Sequence, residues 1–365
     1  MQKIRAAVCH AFNEDLKIEE VLLAPPGPGE VEVAIDAVAI CHSDIHYAEG
    51  AWGGTLPAVY GHEGAGRITA LGEGVTNYAV GQSVLVTLIR SCGTCPTCAS
   101  GDPVHCETPY DKDNGPLKTA QGGTLQHGLA CGAFAEKAVV HHSQIAAYPA
   151  EIPAASACLL SCGAITGIGA AVNTAGVRPG DVVVVIGAGG VGLNAIQGAR
   201  IAGAARIIAV DMSQDKLDAA RDFGATDGVL ATDPKPWSAA RKLAGRKADA
   251  VLVTVGAIPA YDTATRYLAP GGKVVAVGMP HSGATSSYEP VMLAATGQHL
   301  IGSLMGETVL GRDIRWMVDL YQQGRLKLDE LVTKTYTLDQ INEAIADTKA
   351  GHARRNVITF AALPG

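Results

Sequence analysis

Cys92, Cys95, Cys98 and Cys106 stand in a C-x2-C-x2-C-x7-C array, with Gly93, Pro96 and Gly101 bending the chain between them. Four thiolates at this spacing close on one tetrahedral ion and leave it no open position, the arrangement of a structural zinc. Disulfides would need an oxidising compartment, and iron–sulfur clusters use other spacings, so both fit less well. Further ligand types lie on two separate turns, Cys41-His42-Ser43-Asp44-Ile45-His46 and Gly61-His62-Glu63-Gly64-Ala65-Gly66, and Cys162 in Ser161-Cys162-Gly163 offers a third position. Any one of these alone reads as a core cysteine or a surface histidine. Three protein ligands together would leave a zinc one open position, as catalysis requires.

A third chemical feature is Gly187-Ala188-Gly189-Gly190-Val191-Gly192, which fits G-x-G-x-x-G. Glycine-rich turns are common, and the context is what makes this one informative. It follows the apolar run DVVVVIG and opens the helical segment VGLNAIQGARIAG, so a dinucleotide pyrophosphate can rest on the helix N-terminus. Asp211 ends the next predicted strand, where a carboxylate accepts hydrogen bonds from ribose hydroxyls and repels a 2′-phosphate. That favours NAD over NADP.

The elements that must position these groups fall into two classes. Over residues 1 to about 150, short apolar segments such as Val31–Val38, Gly66–Leu71 and Ser83–Leu88 alternate with Gly/Pro turns, the pattern of a small antiparallel β domain. From about residue 165, β-branched runs (181–186, 206–210, 250–254, 273–277) alternate with helical segments (191–202, 213–223), the pattern of a doubly wound parallel sheet. From Gly311 the chain reads as a helix (312–323), a strand (334–337), a helix (338–350) and an extended end (356–360) that returns to the first domain.

Composition is consistent with two domains. The chain has 365 residues, 48% of them hydrophobic, more than one core normally holds. A net charge of -7, with no basic run longer than Arg354-Arg355, excludes the footprint of a nucleic-acid binder. No apolar run reaches about 20 residues and no signal-peptide pattern opens the chain, so a soluble cytoplasmic protein without a membrane partner is expected. Nine cysteines, an odd count, suit metal ligation plus buried free thiols.

GHEGAG with its flanking Gly72, the four-cysteine array, the GAGGVG turn and the VD strand end follow one another in an order that resembles the zinc-dependent alcohol dehydrogenases of the medium-chain dehydrogenase/reductase family, over nearly the whole chain. The resemblance implies an α/β protein. Its GroES-like, β-rich catalytic domain would span 1–164 and 305–365, with the zinc lobe at 92–106, and its Rossmann NAD-binding domain 165–304. It implies two Zn2+ per chain, one held by Cys41, His62 and Cys162 for catalysis and one by the four clustered cysteines. Ser43 would be the hydroxyl bonded to substrate oxygen and His46 the outer end of a proton relay, with Asp44 and Glu63 fixing His62. His42 and Arg355 would contact the cofactor pyrophosphate, Thr166 the nicotinamide surroundings, and Lys216 the ribose beside Asp211. In such enzymes zinc acidifies the alcohol, a hydride passes to nicotinamide, and the proton leaves through Ser43, the ribose and His46. A homo-oligomer, a dimer before a tetramer, is also implied.

The spacing from Cys41 to His62 resembles that of glutathione-dependent formaldehyde dehydrogenases, but the intervening loop departs from them. Trp52 and Gly54 occupy the positions where that class carries two carboxylates. Position-matched pocket candidates are Trp52, Leu88, Leu129 and Leu304, all apolar, which favours a primary aromatic or medium-chain alcohol and its aldehyde. Trp52 also reads as plain packing beneath the loop. A thiol-dependent formaldehyde dehydrogenase is the alternative enzyme, and a non-catalytic NAD-binding or storage protein on the same scaffold the remote one.

Overall fold

In the computed structural model, which describes residues 1–111, 114–351 and 353–361, the Val/Ala-rich segment Glu30–Ala39 forms a strand buried along almost its whole length. Such burial on both faces needs partners on both sides. Gly64–Leu71 and Lys137–His141 pair with it antiparallel, and Arg355–Thr359 joins its far end, Val357 opposite Ala39. Ser83–Val86 and Ile145–Ala147 extend this sheet on one side and Val332–Tyr336 on the other. A second sheet orders Leu117–Thr119, Lys17–Leu23, Gln2–Cys9, Ala58–Val59 and Gln126–His127. Ile35, Ile40, Ile68, Leu85, Leu125 and Phe134 are fully buried among these strands.

These elements make one compact unit, Met1–Cys162 with Val309–Gly365; the other is Gly163–Thr308. The expected boundaries at 164/165 and 304/305 fall within a few residues of these. The final segment does rejoin the first unit, through the strand Arg355–Thr359.

The second unit is a six-stranded parallel sheet in the spatial order Asp227–Leu230, Arg206–Asp211, Val182–Ile186, Ala248–Val253, Leu268–Ala276, His299–Gly302. This is the doubly wound order, whose ligand crevice lies beside the first strand. VVVVI at 182–186 is wholly buried, as a central parallel strand covered on both faces must be.

Three local readings change. Residues 42–48 form a short helix, His42–Ala48, rather than a turn. The strands Asp227–Leu230 and His299–Gly302 were not expected: each is four residues long, and DGVL and HLIG carry too little apolar pattern to stand out. The segment from Leu338 opens with a 3-10 turn before the helix Ile341–Ala350.

Candidate functional site

The end of the central strand gathers residues remote in sequence. Cys41 follows that strand and leads the helix His42–Ala48 in extended conformation. The Ala39 amide donates to Glu63 O (3.0 Å), and the Ile40 amide to Asn356 O (2.9 Å), so three chain segments meet at one sheet edge. The Ser161 hydroxyl donates to Gly64 O (2.8 Å) and brings Cys162 beside them. The ligand atoms of Cys41, His62, Glu63 and Cys162 consequently lie within 4.8 Å of one another, all buried.

Asp44 organises this group. Its carboxylate accepts from the amides of Cys41 (3.3 Å) and Gly61 (2.9 Å) and from His62 Nδ1 (2.9 Å). A carboxylate accepting from Nδ1 holds a proton on that nitrogen, so Nε2 is the one left to face the group and to offer a lone pair to a cation. His62 Nε2 is buried without a hydrogen-bond partner, as is Glu63 Oε1. Buried acceptors left unpaired are costly, and a cation among these atoms relieves both.

The Cys41 and Cys162 thiols act on each other. A hydrogen bond from Cys162 holds Cys41 well below the usual thiol range, against the opposing effect of burial, and the same bond holds Cys162 well above it. Burial pulls the His62 imidazole down, but the charges of Asp44 and Cys41 outweigh it and push it up. A group of donors that cannot all be deprotonated without a counter-charge is what a divalent ion completes.

Glu63 and Arg355, expected beside His62 and at the cofactor pyrophosphate, also meet each other. Arg355, matched to the cofactor pyrophosphate, has its guanidinium on the Glu63 carboxylate and is 6% exposed. Burial raises Glu63 to about 7 even so, with Arg355 opposing. Glu63 thus stands within ligand distance of the metal group as well as beside it. No spacing rule reveals the pair, whose members are 292 positions apart.

Around this group, Ser43 and His46 are half-buried on the helix His42–Ala48, and His42 is exposed. Trp52 is half-buried, with its ring centroid 4.9 Å from that of His46 and 5.3 Å from Tyr47. Leu88 packs half-buried on the core, and Leu129 is half-buried in left-handed conformation at φ 54°. Leu304 belongs to the other unit and is 44% exposed.

The ligand atoms of Cys92, Cys95, Cys98 and Cys106 also lie within 4.8 Å of one another, and all nine cysteines are free thiols. Amides of Thr94 (3.4 Å) and Cys95 (3.2 Å) donate to Cys92 Sγ, and the Cys92 amide donates to Cys106 Sγ (3.3 Å). The Thr108 hydroxyl and these amides lower the Cys92 thiol to about 5. Four preset sulfurs with donors aimed at them fit a closed zinc site.

In the second unit, Gly187 has φ 100° and the helix Gly190–Ile201 starts after Gly189. A Cβ at Gly192 would stand 1.8 Å from Gly187 O, whereas one at Gly189 would meet nothing within 4 Å. One glycine lets helix pack on turn, and the other leaves backbone open to a ligand, as a pyrophosphate cradle needs. Val191 lies in the helix's first turn. Asp211 accepts from the amides of Ala188 (2.8 Å) and Ser213 (3.1 Å), which fixes its carboxylate at the end of the second strand. Lys216 is half-buried on the helix Gln214–Phe223, and the Thr166 hydroxyl is buried 3.7 Å from Met305 Sδ.

A family model described as an alcohol dehydrogenase GroES-like domain matches residues 27–150, and one described as a zinc-binding dehydrogenase matches 190–323. The chain is 36% identical over 370 residues to an NDMA-dependent alcohol dehydrogenase of Amycolatopsis methanolica, covering 99% of this chain and all of the relative. It is 35% identical over 365 residues to alcohol dehydrogenase class-3 of Myxine glutinosa, covering 97% of each. Among solved structures, benzyl alcohol dehydrogenase from Acinetobacter calcoaceticus superposes with a TM-score of 0.93 at 30% identity, covering 99% of this chain and all of that one. An alcohol dehydrogenase zinc-binding domain protein from Burkholderia ambifaria does so at 0.95 and 32%, with the same coverage.

Proposed function

This chain belongs to the zinc-dependent alcohol dehydrogenase family, and from that premise we propose that it oxidises a primary aromatic or medium-chain alcohol to its aldehyde, reversibly, with NAD as hydride acceptor. The observation that carries the reading is the buried group of Cys41, His62 and Cys162, with His62 Nε2 unpaired toward it. Zinc held there supplies a Lewis acid for an alcohol oxygen, and a second zinc on Cys92, Cys95, Cys98 and Cys106 ties the lobe together.

The rest of the chemistry falls to side chains. Asp44 fixes the His62 tautomer and ring plane. Ser43 Oγ passes the alcohol proton outward, and the His46 imidazole, a base suited to neutral pH, receives it. Gly189 and the first turn of the helix Gly190–Ile201 bind the pyrophosphate through open backbone amides. The Asp211 carboxylate accepts from the adenosine ribose and disfavours a 2′-phosphate.

Trp52 supports the substrate class: a half-buried indole takes the place of a carboxylate that would hold a charged thiol adduct. Leu88 and Leu129 add apolar surface. The class-3 relative keeps a second reading in view, thiol-dependent formaldehyde oxidation. Burying a phenyl ring is worth about 2 kcal/mol, so without added thiol kcat/KM for benzyl alcohol should exceed that for ethanol by at least about tenfold. Trp52→Ala should shrink that ratio. Formaldehyde oxidation strictly dependent on a thiol, with little turnover of free aromatic alcohols, would overturn the assignment. Running the assay with NAD alone and with NDMA added shows which acceptor closes the cycle.

We also propose a homo-oligomer. His299–Gly302 is an edge strand, and Leu300, Val291, Met292 and Tyr288 beside it in sequence are exposed at 46–69%. Light scattering that gives a monomer would refute this. No single helix among the described residues is long and apolar enough to cross a bilayer.

A further inference from the structure

The helix His42–Ala48 ends at Glu49, whose amide donates to Ile45 O (2.8 Å) and whose carbonyl accepts from Asn13 Nδ2 (3.1 Å). The backbone of Glu49 is therefore fixed. One turn back on the same face, His46 Nδ1 lies 3.9 Å from Glu49 Oε2, and the two side chains are 25% and 26% exposed. The other carboxylate oxygen, Oε1, lies 2.5 Å from Lys349 Nζ, reaching across from the helix Ile341–Ala350. The Trp52 indole lies against the imidazole, with ring centroids 4.9 Å apart. Among the described residues, the other acids on the facing helix are committed elsewhere: Asp347 to Tyr336 and Asn356, Glu343 to Lys334. Asp44 is committed to His62, and the Trp52 loop brings no charge.

We propose that Glu49, anchored by Lys349, is a positioning residue for His46: its carboxylate, at ion-pair distance from Nδ1, favours the imidazolium that forms when the ring receives the alcohol's proton. This rests on the relay reading given above. The logic is that of a carboxylate behind a catalytic imidazole, set here at the helix end and attenuated by a lysine. Protonation of the ring gives an imidazolium that Glu49 stabilises; the proton then passes to water and neutral His46 is regenerated. Lys349 opposes the imidazolium both directly and by offsetting the carboxylate. The two neighbours therefore act on His46 with opposite sign.

The test uses the zinc-loaded enzyme with bound cofactor. The His46 titration is followed by NMR on labelled histidine, assigned by its loss in His46→Gln, and the acid limb of kcat/KM for alcohol oxidation is measured in parallel. Glu49→Gln should lower both midpoints by about half a unit to one unit, the effect of removing an opposite charge about 4 Å away at a partly exposed site. Lys349→Met should raise both by a smaller amount, and the double variant should follow Glu49→Gln. In a His46→Gln background neither change should move the kinetic limb. A structural role would not give opposite signs. Shifts of the same sign, or NMR midpoints unmoved within about 0.2 units, would overturn the proposal. NMR shifts of opposite sign with an unmoved kinetic limb would leave the pairing standing and overturn the relay role of His46.

Discussion

Gly66→Ala is the substitution for which the structure sets a magnitude most directly. A Cβ at Gly66 would stand 1.9 Å from Ala34 O and 2.9 Å from Ala34 C, where real contacts stay beyond 3.0 Å. Both obstructing atoms are backbone of the central strand, Ile35 being the register partner of Gly66, so no side chain can rotate away. The strands must part by about 1 Å. Overpacking of that kind costs about 1–3 kcal/mol, and loosening one or two ladder hydrogen bonds about 1 kcal/mol each, so about 2–5 kcal/mol in all. In a unit of this size the thermal midpoint of the zinc-loaded protein should fall by roughly 10 °C in calorimetry. Gly64→Ala is the control: its Cβ would meet Val86 Cβ at 3.2 Å, tight by only a few tenths of an ångström, and Ala133 Cβ and Ile35 Cδ1 at 3.6 Å, ordinary contact. Its midpoint should move by less than about 3 °C. Equal midpoints for the two variants, or a Gly66→Ala protein as stable as wild type, would refute the account of the strand pairing.

The two metal groups should separate by mutation: Cys162→Ala should leave a folded, inactive protein with about one zinc fewer, whereas Cys95→Ala should lower the thermal midpoint. If both were stable and inactive, the division of roles would fail. Asp211→Gly should narrow or invert the preference for NAD over NADP in kcat/KM, and a wild-type enzyme already faster with NADP would sink that assignment. Burial lowers the His127 imidazole to about 4, the Cys131 carbonyl only partly opposing, while its ring bonds Tyr110 (2.7 Å) and Cys131 O (2.5 Å). The unfolded chain takes this proton first, so the contribution of His127 is complete above about pH 6.5 and about 3 kcal/mol is lost as pH falls toward 4. His127→Asn should be less stable at pH 7 yet decline less steeply in acid, and parallel curves for the two proteins would contradict this.

Local chemistry was readable in the sequence; long-range pairing was not. The cysteine array and the glycine turn each lie within one short segment, where spacing alone dictates how atoms converge. Cys41, His62 and Cys162 meet only because strand pairing brings the ends of separate segments to one sheet edge, and no local pattern encodes that register. Resemblance to a family supplied what spacing could not. The Glu63–Arg355 pair is a further case: neither spacing nor position matching pointed to it, and only the fold shows where the Arg355 charge is balanced. With both partners buried, removing Glu63 leaves the Arg355 guanidinium uncompensated beside the metal group, at a cost of about 3–5 kcal/mol, whereas removing Arg355 pushes the Glu63 carboxyl further up and leaves it neutral. Constraints of this kind fall on the three-dimensional arrangement of charges rather than on any stretch of chain.

The helix at His42–Ala48 gives the same lesson at short range. HSDIHYA has little apolar periodicity, so a turn was the natural reading, yet the Asp44 carboxylate bonds the Cys41 amide that precedes the helix and holds the two together. That one side chain caps the helix, orients His62 and ties in Gly61, and the helix in turn places Ser43 and His46 on consecutive turns. Asp44→Asn would replace an acceptor-only group with one that also donates, and three hydrogen bonds set by a single charge would no longer be jointly satisfied. The local helix and the metal ligand therefore depend on the same carboxylate.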